Sequence, residues 1–348
     1  AAGADVGALA SAGDRGAAVD AMGRGAAEVV RRLHAEGRLD GILSVGGSGN
    51  SSIAAQAMRA LPVGVPKLIV STLASGDTRP YVGATDVSMT YSVVDISGLN
   101  RISERILSNA AGAIAGMAKV RVDAGEGRPL VGATMFGVTT PCVTRARERL
   151  EELGYEVLVF HATGTGGQSM EALARGGFLA GVLDVTTTEL ADDLVGGVLS
   201  AGPDRLEAAG ELGLPQVVSL GALDMVNFGP RETVPPQFED RNLYVHNPTV
   251  TLMRTTPEEC AELGRRVARK LSAATGPTAL FLPLKGVSMI ATEGGAFHDP
   301  GADEALFAAL RENLGGNVEL HEVDTDVNDP AFADAMANRL HELVSDQG

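Results

Sequence analysis

The chain has no tryptophan, two cysteines, aromatic residues at only 4%, and far fewer basic residues than acidic ones. Each shortage excludes something. Cys142 and Cys260 are too few and too far apart for a disulfide framework or a zinc-ligand spacing, so a reducing, cytoplasmic compartment is expected. No apolar run reaches the roughly 20 residues of a spanning helix, and no stretch reads as a signal peptide. With 28 Lys and Arg against 44 Asp and Glu, the net charge is −16 and the isoelectric point about 4.8. Such a surface argues against general binding of nucleic acid or of an anionic membrane. It leaves room for an anionic ligand in a local pocket.

What is abundant is glycine, 44 of 348 residues, and two glycine clusters sit where they carry meaning. Gly46-Gly47-Ser48-Gly49-Asn50-Ser51-Ser52 follows an apolar run and precedes a helical pattern. Thr163-Gly164-Thr165-Gly166-Gly167-Gln168-Ser169 follows another apolar run, Tyr155 to Phe160. A strand, a glycine loop and a helix together form an anion-binding arrangement. Glycine admits a phosphate close to the backbone, and the helix N-terminus points free N–H groups and a positive dipole end at it. Neither loop is a Walker A or a full dinucleotide fingerprint. The plainer alternative is that the glycines only make tight strand-to-helix turns.

Length and alternation predict an α/β fold of two Rossmann-like domains, each a parallel sheet covered by helices. Strands are expected near 41–45, 66–72, 88–94, 130–135, 155–160, 179–184, 216–219, 278–282 and 317–323. Helices are expected near 16–36, 51–60, 98–120, 141–153, 170–174, 189–194, 205–212, 257–274, 302–314 and 330–345. The breaker-rich segment from Asp123 to Pro129 sets the boundary, giving domains 1–126 and 127–348. The stretch Gly221 to His246 reads as a long polar loop. Ligands in such folds lie at the carboxyl ends of the strands, so both glycine loops are expected to face one cleft between the domains.

Several side chains are candidates for chemistry, each with a plainer alternative. Asp77, after Ser75-Gly76, can hold a magnesium-bound water or a ribose hydroxyl, or be a turn carboxylate. Arg101 can fork onto a phosphate, or pair with Glu104. His161 stands at a strand end before the second glycine loop, where an acid–base group belongs, and Glu171 can orient it. The alternative is a structural histidine. Thr163 to Gln168 and Ser169 can donate to a carboxylate or oxyanion, and His246 is a second histidine candidate. Lys285 can neutralise a phosphate or carboxylate, or act as a nucleophile. Asp224 and Asn227 can contact a metal or a hydroxyl, or order a loop. His298-Asp299-Pro300 and Asn328-Asp329-Pro330 read as helix-starting turns, and Cys142 as a buried structural thiol. No metal-ligand set is expected.

Read together, Gly46-Gly47-Ser48-Gly49, Ser71-Thr72-Leu73-Ala74-Ser75-Gly76-Asp77, Ser97-Gly98-Leu99-Asn100-Arg101-Ile102-Ser103, His161-Ala162-Thr163-Gly164-Thr165-Gly166-Gly167, Gly221 to Gly229, His246-Asn247-Pro248 and Pro283 to Ser288 resemble the Tm-1-like family, also labelled UPF0261, over nearly the whole chain. The resemblance implies two α/β domains, a homodimer, and ATP at the N-terminal domain; on the reading of Asp77 above, magnesium can accompany it. On that basis ATP would lie on Gly46, Gly47, Ser48, Gly49, Asn50, Ser51, Ser75, Gly76, Asp77 and Arg101. A small anionic carbonyl or carboxylate metabolite would lie against Thr163, Gly164, Thr165, Gly166, Gly167, Gln168 and His246, with His161, Glu171 and Lys285 as catalytic candidates. A non-catalytic nucleotide-binding sensor or inhibitor-like interaction protein is the other reading. Family members begin with a strand and an Asp-Thr-Lys-Gly-type loop ahead of the first helix. Where that segment is absent, one wall of the nucleotide site and an edge of the first sheet go with it; a truncated sequence explains the departure equally well.

Overall fold

A computed structural model describes residues 1–122 and 127–347. The chain divides into two compact units, Ala1–Gly125 and Glu126–Gly348. The boundary expected after residue 126 falls on residues 123–126, which lie outside the described residues.

The first unit opens with α1 (Val6–Ala12), α2 (Arg15–Ala35), β1 (Ile42–Gly46) and α3 (Ser48–Arg59). β2 (Lys67–Ser71), α4 (Arg79–Val82), β3 (Ser88–Tyr91) and α5 (Arg101–Met117) complete it. The short α1 is absent from the sequence expectation because its alanine-rich turns carry no apolar stripe. Asp5 and Asp14 still cap α1 and α2 by accepting backbone N–H groups of Ala8 and Ala17. The strands form a parallel sheet in the order β1-β2-β3. Successive side chains of a strand point to opposite faces. Accordingly, Ile69 of β2 packs with Ala54 and Met58 of α3, whereas Leu68 and Val70 pack with Ala110 of α5. Lys67 is fully buried at the start of β2. Its ammonium donates to the Pro62 and Val65 carbonyls and to Asp86 at 2.6 Å.

The second unit alternates more regularly. Its elements are β4 (Leu130–Met135), α6 (Thr140–Glu152), β5 (Glu156–His161), α7 (Thr165–Arg175), β6 (Gly181–Thr186), α8 (Glu189–Val195), α9 (Ala208–Glu211) and β7 (Gln216–Gly221). Then come β8 (Met225–Phe228), β9 (Leu243–Asn247), β10 (Val250–Arg254), α10 (Pro257–Ser272), β11 (Thr278–Pro283), α11 (Pro300–Asn313), β12 (Val318–Val323) and α12 (Pro330–Ser345). Six strands form a parallel sheet in the order β12-β11-β7-β6-β4-β5. One face carries α6 and α12, with Cys142, Val143 and Leu150 against Phe332, Met336 and Leu340. The other carries α10 and α11, packed through Leu263, Val267, Leu306 and Leu310 onto Val218, Leu220 and Leu280.

Two expectations are corrected here. Gly221 to His246 is not a polar loop. It supplies the fully buried β8 and the edge strand β9 of a small antiparallel sheet, β8-β10-β9. The helix expected over 205–212 shrinks to Ala208–Glu211, because Leu206 adopts φ 73° and gives its N–H to the Glu171 carboxylate instead of a helix carbonyl. Among the described residues, no helix is long and apolar enough to cross a membrane.

Candidate functional site

In the first unit the candidates gather at the carboxyl ends of adjacent strands. The Thr72 N–H donates to the Gly46 carbonyl (3.3 Å) and the Ser92 N–H to the Ser71 carbonyl (3.1 Å), so the loops after β1, β2 and β3 leave the sheet side by side. Not every loop residue is presented to a ligand. Asn50 folds back, its amide donating to the Ser44 hydroxyl (2.8 Å) and the Val45 carbonyl (2.9 Å). Gly46 is glycine for that reason, since a Cβ would stand 2.7 Å from the Asn50 Cβ. Ser51 is buried and shares a hydrogen bond with Ser71 at 2.8 Å. Gly47 is the N-cap of α3, and among the described residues no side chain caps it. Beside it, a Cβ on Gly49 would meet only the Arg15 guanidinium, at 3.7 Å, and Val19, at 3.9 Å. This helix start is therefore open.

Ser75 and Gly76 are exposed in the next loop. Asp77 accepts from Arg79 Nε at 2.9 Å and Nη2 at 2.8 Å, and this pairing pulls its carboxyl down to about 2. Both Asp77 oxygens are thus taken up within the loop. Arg101 is the exposed first residue of α5, which Asn100 and Ser103 close with a reciprocal capping box.

The second glycine loop is closed. The N–H groups of Gly164 and Gly167 both donate to Glu189 Oε1, at 2.7 and 3.1 Å. The anion on this helix N-terminus is the chain's own carboxylate. Arg205 fixes it there, with Nε to Glu189 Oε2 at 2.6 Å, and both Nη atoms on Asp184 at 2.5 and 2.7 Å. Thr134 donates to Asp184 at 2.6 Å. Burial alone would lower the guanidinium, but Asp184 and Glu189 outweigh it and hold Arg205 well above its ordinary value. The glycines fit this packing. A Cβ on Gly167 would lie 2.2 Å from Glu189 and one on Gly166 1.8 Å from the His161 carbonyl, while Gly164 adopts φ 86°.

Glu171 belongs to the same cluster. Its carboxylate accepts the Leu206 N–H and lies 3.7 Å from Arg205, and burial raises its carboxyl despite both. The structure does not set it against His161, whose exposed ring rests on Phe136 with centroids 5.4 Å apart. Thr163 donates to the His161 carbonyl at 3.2 Å, Gln168 donates to the Ala201 carbonyl at 3.1 Å, and Thr165 is exposed. His246 is exposed on β9 of the antiparallel sheet.

Lys285 follows β11. Between β11 and β5 lie four strand spacings, roughly 19 Å at ~4.8 Å each, so the sheet does not bring Lys285 to His161. Instead Lys285 lines a cleft of about 570 Å³ with Glu293, His298, Asp303, Arg311 and Asp326. One wall is the long loop from Gly286, which adopts φ 142°, to His298. Under the cleft, the buried Arg254 holds Asp303 at 2.6 Å. Deeper still, Asp224 accepts from Ser288 at 2.7 Å, its other oxygen has no partner among the described residues, and burial pushes its carboxyl up to about 6. Asn227 gives its amide to Asp192 at 2.6 Å, and burial pushes that carboxyl up to about 7. Asp224 and Asn227 thus order the interior. Among the described residues, no three His, Cys, Asp or Glu are grouped to hold a metal ion.

Asp184, Glu189, Arg205 and Arg254 are absent from the residues that the sequence singles out. A signal was present: Asp184 interrupts the apolar strand Val182-Leu183-Asp184-Val185, and a charge buried in a strand needs a partner.

The pattern of the uncharacterised protein family UPF0261 matches in two parts, its N-terminal domain over residues 1–123 and its C-terminal domain over residues 128–344. The chain belongs to the UPF0261 family. A UPF0261 protein of Clostridium tetani (strain Massachusetts / E88) is 58% identical over 333 residues, covering 95% of this chain and 82% of its own. A UPF0261 protein of Rhizobium meliloti (strain 1021) is 52% identical over 340 residues, 97% of this chain and 84% of its own. The ToMV resistance protein Tm-1(GCR237) of Solanum lycopersicum is 44% identical over 337 residues, 94% of this chain but 45% of its own. The expected likeness to Tm-1 thus stands within UPF0261.

Proposed function

We propose that this UPF0261 protein is a cytoplasmic, homodimeric ATP-binding protein. In this reading the nucleotide phosphates rest on Gly47, Ser48 and Gly49 at the start of α3, with Arg15 and Arg101 as phosphate-facing cations. The observation that carries it is the uncapped N-terminus of α3, whose first-turn N–H groups meet no capping side chain while a guanidinium stands beside Gly49. Backbone donors, a positive dipole end and a nearby cation are the physical requirements of a phosphate site. Magnesium enters through Asp77 only when Arg79 releases it. In the second unit, a small anionic carbonyl or carboxylate metabolite sits in the cleft that Lys285 lines, its negative group answered by that ammonium.

Isothermal titration of ATP into the purified protein, with and without magnesium, tests the nucleotide. Saturable heat is expected from the parent and none from Gly49→Val, whose branched side chain fills the space the phosphate needs. Equal binding by that variant removes the phosphate loop from the site. Sedimentation analysis with and without ATP checks the dimer.

A further inference from the structure

The Lys285 cleft carries both signs of charge in unspent form. Three of its charged groups, Arg311, Glu304 and Asp303, are already satisfied. Arg311 is held between Glu304 at 2.8 Å and Glu322 at 2.6 Å, and Asp303 is neutralised from below by Arg254. What remains is different. Glu293 is exposed and, among the described residues, in no ion pair. Asp326 accepts one backbone N–H, that of Asn328, and, among the described residues, no cation. Lys285 reaches Asp324 at 2.8 Å, but the two side chains are 60% and 80% exposed; an ion pair so placed contributes little and yields to a ligand. His298 sets Nδ1 3.4 Å from the Ala291 carbonyl. The other ring nitrogen, Nε2, has no hydrogen-bond partner among the described residues and can meet a ligand.

A purely anionic ligand would meet Lys285 but also face Glu293 and Asp326. A purely cationic one would meet the carboxylates but face Lys285. Only a ligand with both charges close together leaves no like pair. The cleft's volume, about 570 Å³, is within the range of small-molecule sites and more than enough for such a molecule. Its position at the carboxyl ends of β11 and β12 is where open α/β sheets bind ligands.

We propose that this cleft binds a small zwitterion, a free α-amino acid, with its ammonium toward Glu293 and Asp326 and its carboxylate toward Lys285 and His298. The proposal rests on the reading that the Lys285 cleft takes a carboxylate, and adds the ammonium. His298, which the sequence marks only as a helix-starting turn, becomes a ligand contact.

The test is calorimetric titration of the full chain with each of the twenty L-amino acids, with propionate and propylamine as single-charge controls. At least one amino acid is expected to bind ten-fold or more tightly than either control. Lys285→Gln and Glu293→Gln are each expected to weaken that binding about ten-fold. Both positions are exposed, so the melting temperature should hold and loss of binding reads as loss of contact. Propionate binding as tightly as the best amino acid overturns the zwitterion and leaves the carboxylate reading standing. No saturable heat from any probe overturns both. Unchanged binding in the two variants overturns the placement.

Discussion

Gly46 to Ser52 and Thr163 to Ser169 are near-twins in composition and in place, each leading from a parallel strand into a helix. In the second, Glu189 fills the anion position, and Arg205 and Asp184 lock it there. In the first, the helix start is uncapped. A glycine-rich strand-to-helix turn is thus filled by an intramolecular anion in one case and left without a capping side chain in the other. The glycines differ accordingly. Those of the second loop are demanded by packing, with a Cβ meeting an atom at 2.2 Å or less at Gly166 and Gly167. Gly47 and Gly49 have only ordinary contacts around them. The free loop is the one to which a ligand can be added without removing part of the protein.

The sharpest way to break this comparison is to unlock the second loop. Arg205→Ala leaves Asp184, Glu189 and Glu171 buried without their shared cation. Removing one partner of a buried ion cluster costs about 3–5 kcal/mol. Urea unfolding monitored by circular dichroism should show that loss; a loss below about 1 kcal/mol would mean Glu189 is not fixed by Arg205. Next in size is Gly167→Ala. Its methyl must displace the Glu189 carboxylate or Arg205 Nε, which stands 2.6 Å from the place the new Cβ would take, and overpacking of this kind costs about 1–3 kcal/mol.

Acidity separates the two units a second way. Burial holds Asp192 at about 7, whereas Arg79 holds the exposed Asp77 at about 2. For Asp192 the folded pKa is above the unfolded one. Between pH 4 and 7 the unfolded chain has therefore released a proton that the folded chain retains, and stability falls as pH rises through that window, by at most about 1.4 kcal/mol per unit. Above pH 7 the effect is complete. Asp77 acts in the opposite direction, losing its stabilisation only as pH falls from about 4 toward 2. Asp192→Asn should flatten the slope between pH 4 and 7 in thermal melts; a slope as steep as the parent's would assign it to other buried carboxyls such as Glu171.

The fold was largely readable because it rests on periodicity. Fully apolar strands such as Leu68-Ile69-Val70 and Val217-Val218, each followed by an amphipathic helix, leave few alternatives to a parallel sheet. The antiparallel β8-β10-β9 sheet was not readable, because Asp224 and Asn227 made its buried first strand look polar. The candidate sites were readable only as positions. Sequence places Gly164 and Gly47 alike at helix starts. Whether the amides there are free depends on Glu189, 25 residues beyond Gly164, and long-range pairing of that kind has no local signature. The same holds for Lys285 and His161, which both lie at strand ends but are separated by the order in which the strands assemble.

The smallest expected effect is also the most discriminating. Gly49→Ala places its Cβ 3.7 Å from Arg15 Nη2 and 3.9 Å from Val19, ordinary van der Waals distances. Gly49 lies in the first turn of α3, where alanine costs less backbone entropy than glycine, worth up to about 1 kcal/mol in a helix interior and less near its end. Without ligand, Gly49→Ala should therefore be neutral or slightly stabilising, within about 1 kcal/mol, while the same methyl at Gly167 destabilises. The opposite signs of one substitution in the first turns of the two helices would separate a turn left open from a turn filled by the protein itself. Matched urea titrations of the two variants measure it. If Gly49→Ala destabilises as much as Gly167→Ala, the first loop is packed shut as well, and the phosphate site assigned to it loses its physical basis.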